Sequence, residues 1–346
     1  MRERITSGAL ATGDRVPSIA ELCAEYQVSA ITARRALTDL VQEGLLTSIQ
    51  GKGTFVAARP PSAKSGALIG VIFPDLAQSP FFSSMHQGIE SVLGDRLQIV
   101  ASSHLDPNHE STLLDDLMAR GINHVLFTPV TGSDRTSADA AIRRLVAAGL
   151  HLVAIDRGIA GPGLIDLVSS DNVAVGRLAT RHCRDLGHQR IAFVWAHPCG
   201  TFADRQTGYE QTLREDGLTP DPLLARGGGT APYEESGYFR TLELFHLAQP
   251  PTAIIAGNEL IALGVLRACR FLGLSVPGRV SVVSIDDTLA NLATPPLTAV
   301  HQPTMAMGRR AAEMLLERAA GLTTPPRHVQ LPVSLVIRES TGPAPT

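Results

Sequence analysis

Two sets of side chains could do chemistry in this sequence, and both are suited to binding rather than to breaking bonds. In the first, Thr32, Arg34, Arg35, Thr38 and Asp39 fall outside the apolar stripe of a helix predicted to follow a short turn. Polar side chains shown outward from such a helix have the geometry of one that reads a DNA major groove. Just downstream, Gln50-Gly51-Lys52-Gly53 joins two short apolar runs, and its glycines permit positive φ and close approach to a phosphate backbone. The second set is Ser79, Phe81, Phe82, Asp156, Arg157, Asp171, Trp195, Arg205, Asn258, Asp286 and Gln302, each at or past the end of an apolar run. Carboxylates, amides and guanidinium groups hold hydroxyls, and an aromatic face covers C–H bonds. In a chain with only 4% aromatic residues, that mixture suits a polyhydroxylated ring, a sugar above all.

The first set needs a helix, a turn, a second helix and a hairpin. Ser18 and Glu21 form a capping box, and Ile19, Leu22, Cys23 and Tyr26 fall on one face, so a helix starts near Ser18. Gln27 and Val28 break the pattern, and Ser29 is a second N-cap candidate. Ala33, Ala36, Leu37, Leu40 and Val41 form the stripe of a helix that Gly44 can end. Leu45 to Ile49 and Thr54 to Ala57 read as strands of a wing, which makes the segment a winged helix-turn-helix.

The motifs PSxxEL, VSxxTxRRAL, EGLL and GKGTFV, in this order over residues 1–57, resemble the DNA-binding domain of the GntR family. The resemblance implies that Thr32 and Arg34 contact DNA from the second helix, that Ser29 meets a phosphate at its start, and that Gly51, Lys52, Gly53 and Thr54 reach the minor groove. The chain departs from the family pattern at Ala20 and Ala30, where arginines that read bases often stand. Bidentate arginine to guanine is the commonest specific contact, so the operator sequence or the affinity should differ. Met1 to Gly8 fall inside the family's first helix.

The second set needs a larger domain. Residues 58–66, ARPPSAKSG, read as a proline- and serine-rich linker. From residue 67, apolar runs alternate with amphipathic stretches. Strands are expected at Leu68–Phe73, Gln98–Ser102, His124–Thr128 and Leu152–Asp156, and helices at Met85–Leu93, Glu110–Ala119 and Ala138–Ala148. The alternation resumes with a helix from Asn172 to Leu186, Ile191–Trp195, a helix from Arg205, Thr252–Ala256, a helix over Leu260–Leu272, and Val280–Ile285. This βαβα order predicts two parallel sheets, hence two lobes, with ligand beyond the carboxyl ends of the strands.

IGVIFPDLAQSPFF, AIDRGIAG, SSDNVAVG, LGHQRIAFV, VSVVSIDDT and PPLTAVHQP carry a resemblance, over residues 67–342, to the LacI/GalR effector domain and its periplasmic sugar-binding relatives. The fold class implied is α/β, a winged helix-turn-helix followed by a two-lobed periplasmic-binding-protein-like domain, the architecture of the arabinose repressor of Gram-positive bacteria. The resemblance implies that Phe81 and Phe82 lie beside a sugar ring, Asp156 and Arg157 come from one lobe, Arg205, Asn258 and Asp286 from the other, and Gln302 from the hinge side. Ser79 stands where relatives often have asparagine. The expectation is a sugar-responsive homodimeric repressor of double-stranded operator DNA, with a nucleobase or nucleoside as the alternative effector and a transport or chemotaxis protein as a remoter one. The hinge helix of LacI/GalR proteins is missing, and Pro60-Pro61 would resist forming one.

Plainer structural readings stand beside these. Arg35 could be a solvated surface charge, Asp156-Arg157 a strand-end ion pair, Asp286-Asp287 a helix cap, and Phe81 and Phe82 core. Trp195 either narrows the pocket or packs under it. Arg205 adjoins a predicted helix start, where a cation is unfavourable unless an acidic partner or ligand faces it.

The bulk numbers bound the function. A net charge of −3, with six basic and six acidic side chains in residues 1–57, means that DNA binding rests on placement and not on charge excess. The 4 cysteines are far apart and the 11 histidines show no ligand spacing, so no metal, cofactor or disulfide framework is expected, and a reducing cytoplasm is the expected home. No apolar run is long enough for a membrane span, and no secretory leader is seen. Gly51-Lys52-Gly53-Thr54 lacks the spacing of a phosphate loop and no nucleophile elbow appears, so no enzyme is expected.

Overall fold

Ser18 opens helix α1 (Ile19–Tyr26) with the predicted capping box: its backbone N–H donates to Glu21 Oε2 at 2.6 Å, and its hydroxyl accepts from the Glu21 N–H at 3.3 Å. Gln27, left-handed at φ 52°, ends α1 and turns the chain into α2 (Ala30–Gln42). Strands β1 (Leu46–Ile49) and β2 (Gly53–Val56) pair antiparallel, and Arg15 bridges to Phe55 on the far side of β2. The small core is Val16, Leu22, Leu40, Leu46 and Val56. Two stripe residues are corrected: Tyr26 and Ala36 are exposed. Gly53 has φ +113°, as its place at the hairpin requires.

In this computed structural model the described residues are 13–42, 46–49, 53–56, 68–76, 79–130, 135–159, 163–229 and 231–345. Residues 1–8, Gly44, Leu45, Gly51, Lys52, Ala57 and the linker 58–66 lie outside them. The chain divides into two compact units, Met1–Ala67 and Leu68–Thr346.

The larger unit contains two six-stranded sheets. The first is ordered β13-β7-β6-β5-β3-β4 and the second β14-β12-β11-β10-β8-β9. Its elements run β3 (Ile69–Phe73), α3 (Pro80–Leu93), β4 (Gln98–Ser102), α4 (Pro107–Ala119), β5 (His124–Phe127), α5 (Arg135–Ala147), β6 (His151–Ile155) and β7 (Asp166–Ser170) in the first lobe. The second lobe has α6 (Asn172–Asp185), β8 (Ile191–Val194), α7 (Gly200–Glu215), β9 (Ala225–Arg226), α8 (Tyr233–Phe245), β10 (Ala253–Ala256), α9 (Glu259–Phe271), β11 (Ser281–Ile285) and β12 (Thr298–His301). The chain then returns to the first lobe for α10 (Thr304–Ala319) and β13 (His328–Leu331), and ends its sheets with β14 (Ser334–Val336) on the second. All described pairings in these two sheets are parallel except β14 on β12.

Strands β3, β8 and β10 are buried along their whole length, which is why they read as unbroken apolar runs, and β11 is equally buried although it carries Ser281 and Ser284. The lobes are joined where β7 meets α6, where β12 meets α10 and where β13 meets β14. These three crossings set the aspartates and Gln302 described below at the junction of the lobes. Helices α6 and α7 touch through glycine: a Cβ on Gly176 would lie 1.9 Å from the Arg205 carbonyl oxygen, and one on Gly208 would lie 2.1 Å from that of Val173. That contact fixes the backbone of Arg205 against the first turns of α6.

Candidate functional site

On the head, Ser29 caps α2: its Oγ accepts from the Thr32 N–H at 3.2 Å and lies 2.9 Å from Thr32 Oγ1. Ser29, Thr32, Arg34 and Arg35 are all exposed, on the face that the apolar stripe leaves free. Gly53 and Thr54 lie in β2, half-buried. Gly51 and Lys52 are outside the described residues.

At the lobe junction, Asp156 and Asp286 follow the fourth strand of their lobes, β6 and β11, and both have φ +69°. The Asp156 N–H donates to the Val168 carbonyl at 2.8 Å, and the Asp286 N–H donates to that of Val300 at 3.0 Å. Left-handed non-glycine residues cost free energy, and aspartate is among the few side chains that tolerate the conformation. Both side chains are buried. Gln302, on the second crossing, donates from Nε2 to Asp286 Oδ1 at 2.5 Å. Asp156 Oδ1 and Gln302 Oε1 are buried acceptors with no protein partner. Burial pushes the Asp286 carboxyl up to about 6, against the pull of Arg205 and Gln302 and with the help of Asp156 and Asp287.

Arg205 is buried beside them, donating from Nε to Asn172 Oδ1 at 2.8 Å and from Nη1 to the Gly257 carbonyl at 2.7 Å, with its guanidinium carbon 5.8 Å from the centre of the Phe202 ring. Because α7 begins at Gly200, Arg205 stands in the second turn and not at a helix start, so the dipole argument made from sequence does not apply. Asn258 accepts from the Ile261 N–H at 2.9 Å and caps α9, while Asp171 caps α6 by accepting from the Ala174 N–H at 2.9 Å. Ser79 precedes α3 without a side-chain cap bond. Asp287 takes His301 Nδ1 at 2.7 Å and Arg338 Nη2 at 3.3 Å, which makes it a packing residue at the second crossing.

Three aromatic assignments resolve toward structure. Phe81 and Phe82 are buried in the first lobe's core, edge to face at 5.3 Å, with Phe82 5.5 Å from Phe73. Trp195 stacks on Phe193 at 5.8 Å and covers Gly227, where a Cβ would sit 2.1 Å from the indole.

Two cavities open between the lobes. One, of about 300 Å³, is polar and includes Asp156, Arg157, Asp171, Asn172, Ser169 and Thr201 in its walls. The other, of about 500 Å³, shares only Arg157 with it and includes His197, Cys199 and Tyr233. Arg157 donates from Nε to Asp156 Oδ2 at 3.2 Å. Burial opposes its charge, but Cys199, Asp156 and Tyr233 more than offset this and leave the guanidinium firmly protonated. Burial, helped by Arg157, lowers His197 to about 4, and burial raises Tyr233 to about 12, with the two side chains 3.3 Å apart. Behind this wall Glu110, raised to about 7 by burial, accepts from the Val130 N–H at 2.8 Å. Sequence reasoning missed His197, Cys199, Tyr233 and Glu110. Tyr233 begins an amphipathic helix, YEESGYFRTLELF, that was legible but passed over.

Among the described residues no cluster of three or more His, Cys, Asp or Glu could hold a metal, and no helix is long and apolar enough to cross a membrane. At the lobe junction Asp156 Oδ1 and Gln302 Oε1 are acceptors that a hydroxylated ligand could satisfy.

Residues 1–56 match the model of bacterial regulatory proteins of the gntR family, and residues 180–341 match that of the periplasmic binding protein-like domain. An uncharacterized HTH-type transcriptional regulator of Streptomyces limosus is 31% identical over 343 residues, covering 94% of this chain and 95% of the relative. The arabinose metabolism transcriptional repressor of Geobacillus stearothermophilus is 28% identical over 329 residues, covering 90% and 87%. The solved complex of the transcriptional regulator CelR with cellobiose is 26% identical, with a TM-score of 0.71 over 94% of this chain and 100% of that one. Its relatives are regulators rather than enzymes, and the chain belongs to the LacI family of HTH-type transcriptional regulators, with a GntR-type DNA-binding domain at its amino end.

Proposed function

We propose that this protein is a sugar-responsive repressor, acting as a homodimer on a near-palindromic operator. The head is taken as residues 1–57, the linker as 58–66 and the effector domain as 67–342. Ser29, Thr32, Arg34 and Arg35 meet the major groove and its phosphates, and Gly51, Lys52, Gly53 and Thr54 meet the minor groove. The sugar lies between the lobes against Asp156, Arg157, Arg205, Asn258, Asp286 and Gln302.

One observation carries the reading. Asp156 Oδ1 on one lobe and Gln302 Oε1 at the crossing are buried acceptors without donors. A buried unsatisfied acceptor costs about 1–3 kcal/mol. A ligand bearing several hydroxyls relieves both at once and favours the closed pair of lobes over the open one, which is the differential affinity a switch needs. The solved cellobiose complex of CelR and the arabinose repressor among the relatives support a sugar as that ligand.

The test is a mobility-shift titration of operator DNA with candidate sugars. Wild-type protein is expected to change its operator affinity in the presence of its sugar, and Arg205→Ala to bind operator but lose that response. A full sugar response in Arg205→Ala counts against the site.

A further inference from the structure

We infer that Arg15 is a further DNA contact of the head, its guanidinium laid along the outer face of the wing where it neutralises a backbone phosphate. This deepens the operator-binding reading and rests on it. Residues 13–16 run antiparallel beside β2 and give the wing a third strand. The Gly13 N–H donates to the Val56 carbonyl at 3.0 Å, the Val56 N–H to that of Asp14 at 2.8 Å, and the Val16 N–H to that of Thr54 at 2.9 Å. Side chains alternate along a strand, so Val16, in the core with Leu46 and Val56, leaves Arg15 on the opposite face. There Arg15 stands across from Phe55, and Phe55 across from Thr47. Both Arg15 and Thr47 are exposed.

Gly53 fixes the direction of that side chain. A Cβ there would lie 3.2 Å from Arg15 Nε and 3.8 Å from Cζ and Nη2, so the guanidinium rests on bare backbone. Gly53 pairs with Ile49 at the hairpin end of both strands. Arg15 therefore carries its charge from the third strand to the end of the wing proposed to enter the minor groove. A side chain lying flat along a strand does not probe a groove floor for base edges. It presents a planar fork of N–H donors to whatever covers that face, and on a duplex the rim of a groove is phosphate.

The charge of the head makes such a contact count. Among its described residues the cations are three, Arg15, Arg34 and Arg35, against the acids Asp14, Glu21, Glu25 and Asp39. Arg34 and Arg35 stand on α2, so Arg15 is the one described cation on the wing. The Glu21 carboxyl is held low by the Ser18 backbone N–H and hydroxyl first and by the charge of Arg15 last, so Arg15 is not committed to it.

Fluorescence anisotropy with the full-length protein and two probes tests this. One probe is a short duplex that wild-type protein selects from a random-sequence pool, the other an unselected duplex of the same length. Each phosphate contact adds a slope of about −0.9 to the logarithm of affinity plotted against the logarithm of salt. Arg15→Ala is expected to make that slope shallower by about one. It is expected to weaken both duplexes alike, by about five- to tenfold near 0.1 M salt, with the deficit closing as salt approaches about 1 M. Arg15→Lys, which keeps the charge, is expected to keep the slope. A side chain that only braces the wing would cost affinity without changing the slope, and Arg15→Lys would not restore it. That result, or wild-type affinity in Arg15→Ala, overturns the contact and leaves the operator reading standing. Loss confined to the selected duplex makes Arg15 a reader of bases and overturns the phosphate contact. Failure of wild-type protein to enrich any sequence from the pool overturns the operator reading itself.

Discussion

Asp156 and Asp286 hold equivalent places in lobes of the same strand order, with the same φ and the same backbone anchor, yet the two lobes surround them with opposite electrostatics. Asp156 lies against its own cation, Arg157, in a buried pair. Asp286 has no cation to itself: Arg205 is committed to Asn172 and Gly257, Gln302 gives it one neutral donor, and Asp287 and Glu259 crowd it from its own lobe. The difference teaches that the first lobe's carboxylate is a finished structural element with one spare oxygen. The second lobe's carboxylate is under-compensated until something else arrives. On the proposed reading, a ligand donor at Asp156 meets an orphaned oxygen, and one at Asp286 meets the less compensated charge.

Neutralising each aspartate in turn breaks or sharpens that contrast. Asp156→Asn strands a buried guanidinium and is expected to cost about 3 kcal/mol, as breaking buried ion pairs does. Asp286→Asn removes a charge that burial already disfavours, with a carboxyl raised to about 6 from 3.8, and is expected to stabilise the unliganded protein above pH 7 by up to about 3 kcal/mol while weakening sugar binding. Asparagine tolerates the left-handed backbone, so neither change adds strain. Urea unfolding of both variants at pH 8 checks the signs, and destabilisation of similar size in both would erase the distinction between the lobes.

The same contrast predicts a pH dependence. Glu110 and Glu259 are each raised to about 7, chiefly by burial, and Glu259 keeps Oε1 buried without a partner while Oε2 accepts from the Leu289 N–H at 2.7 Å. A folded-state pKa above the unfolded one means that the folded chain holds the proton more tightly. Stability from these groups is fully present below about 4.5 and is lost as pH rises from there to about 7, by about 3 kcal/mol for each at the upper end. Asp166 runs the other way: burial would raise it, but hydrogen bonds from Arg318 and Arg327 hold it low, so its contribution falls away in acid. Glu259→Gln is expected to flatten the loss between pH 5 and pH 7.5 in urea unfolding. An unchanged pH slope would mean that Glu259 is not the group that titrates.

How far the sequence carried the argument follows the same line between local and assembled features. The capping box at Ser18, the all-buried strands and the edges of β4 were legible because local pattern decides them. The aspartates after β6 and β11 were legible as strand-end residues, but their left-handed backbone and unequal compensation were not. Both depend on Val168, Val300 and Gln302, contributed by other strands and by the crossing. Whether Phe81, Phe82 and Trp195 face a pocket or a core was not legible, because an aromatic near a strand end looks the same in either place. Here a neighbouring ring in Phe73 and a bare glycine at Gly227 decided the matter. β9, β13 and β14 escaped the reading because they are short or half-exposed, β7 because its buried sequence DLVSS has only two apolar residues, and α10 because its crossing back to the first lobe has no local signal.

The smallest expected effect separates the two ways a serine begins a helix in this chain. Ser18 shares a reciprocal capping box with Glu21, whose carboxyl is held low by the Ser18 backbone N–H and hydroxyl. Ser79 precedes α3 with no side-chain bond to the helix, and Pro80 fills the first turn where an N–H would otherwise need a partner. Ser18→Ala is therefore expected to lower the thermal stability of the head by about 1 kcal/mol, and Ser79→Ala to leave that of the effector domain nearly unchanged. Among the described residues, the Ser79 hydroxyl makes no cap bond to α3. If Ser79→Ala leaves the melting temperature of the free protein intact but reduces the rise caused by sugar, that hydroxyl belongs to the ligand. If it lowers the melting temperature by as much as Ser18→Ala does, Ser79 is a cap after all and leaves the list of ligand contacts.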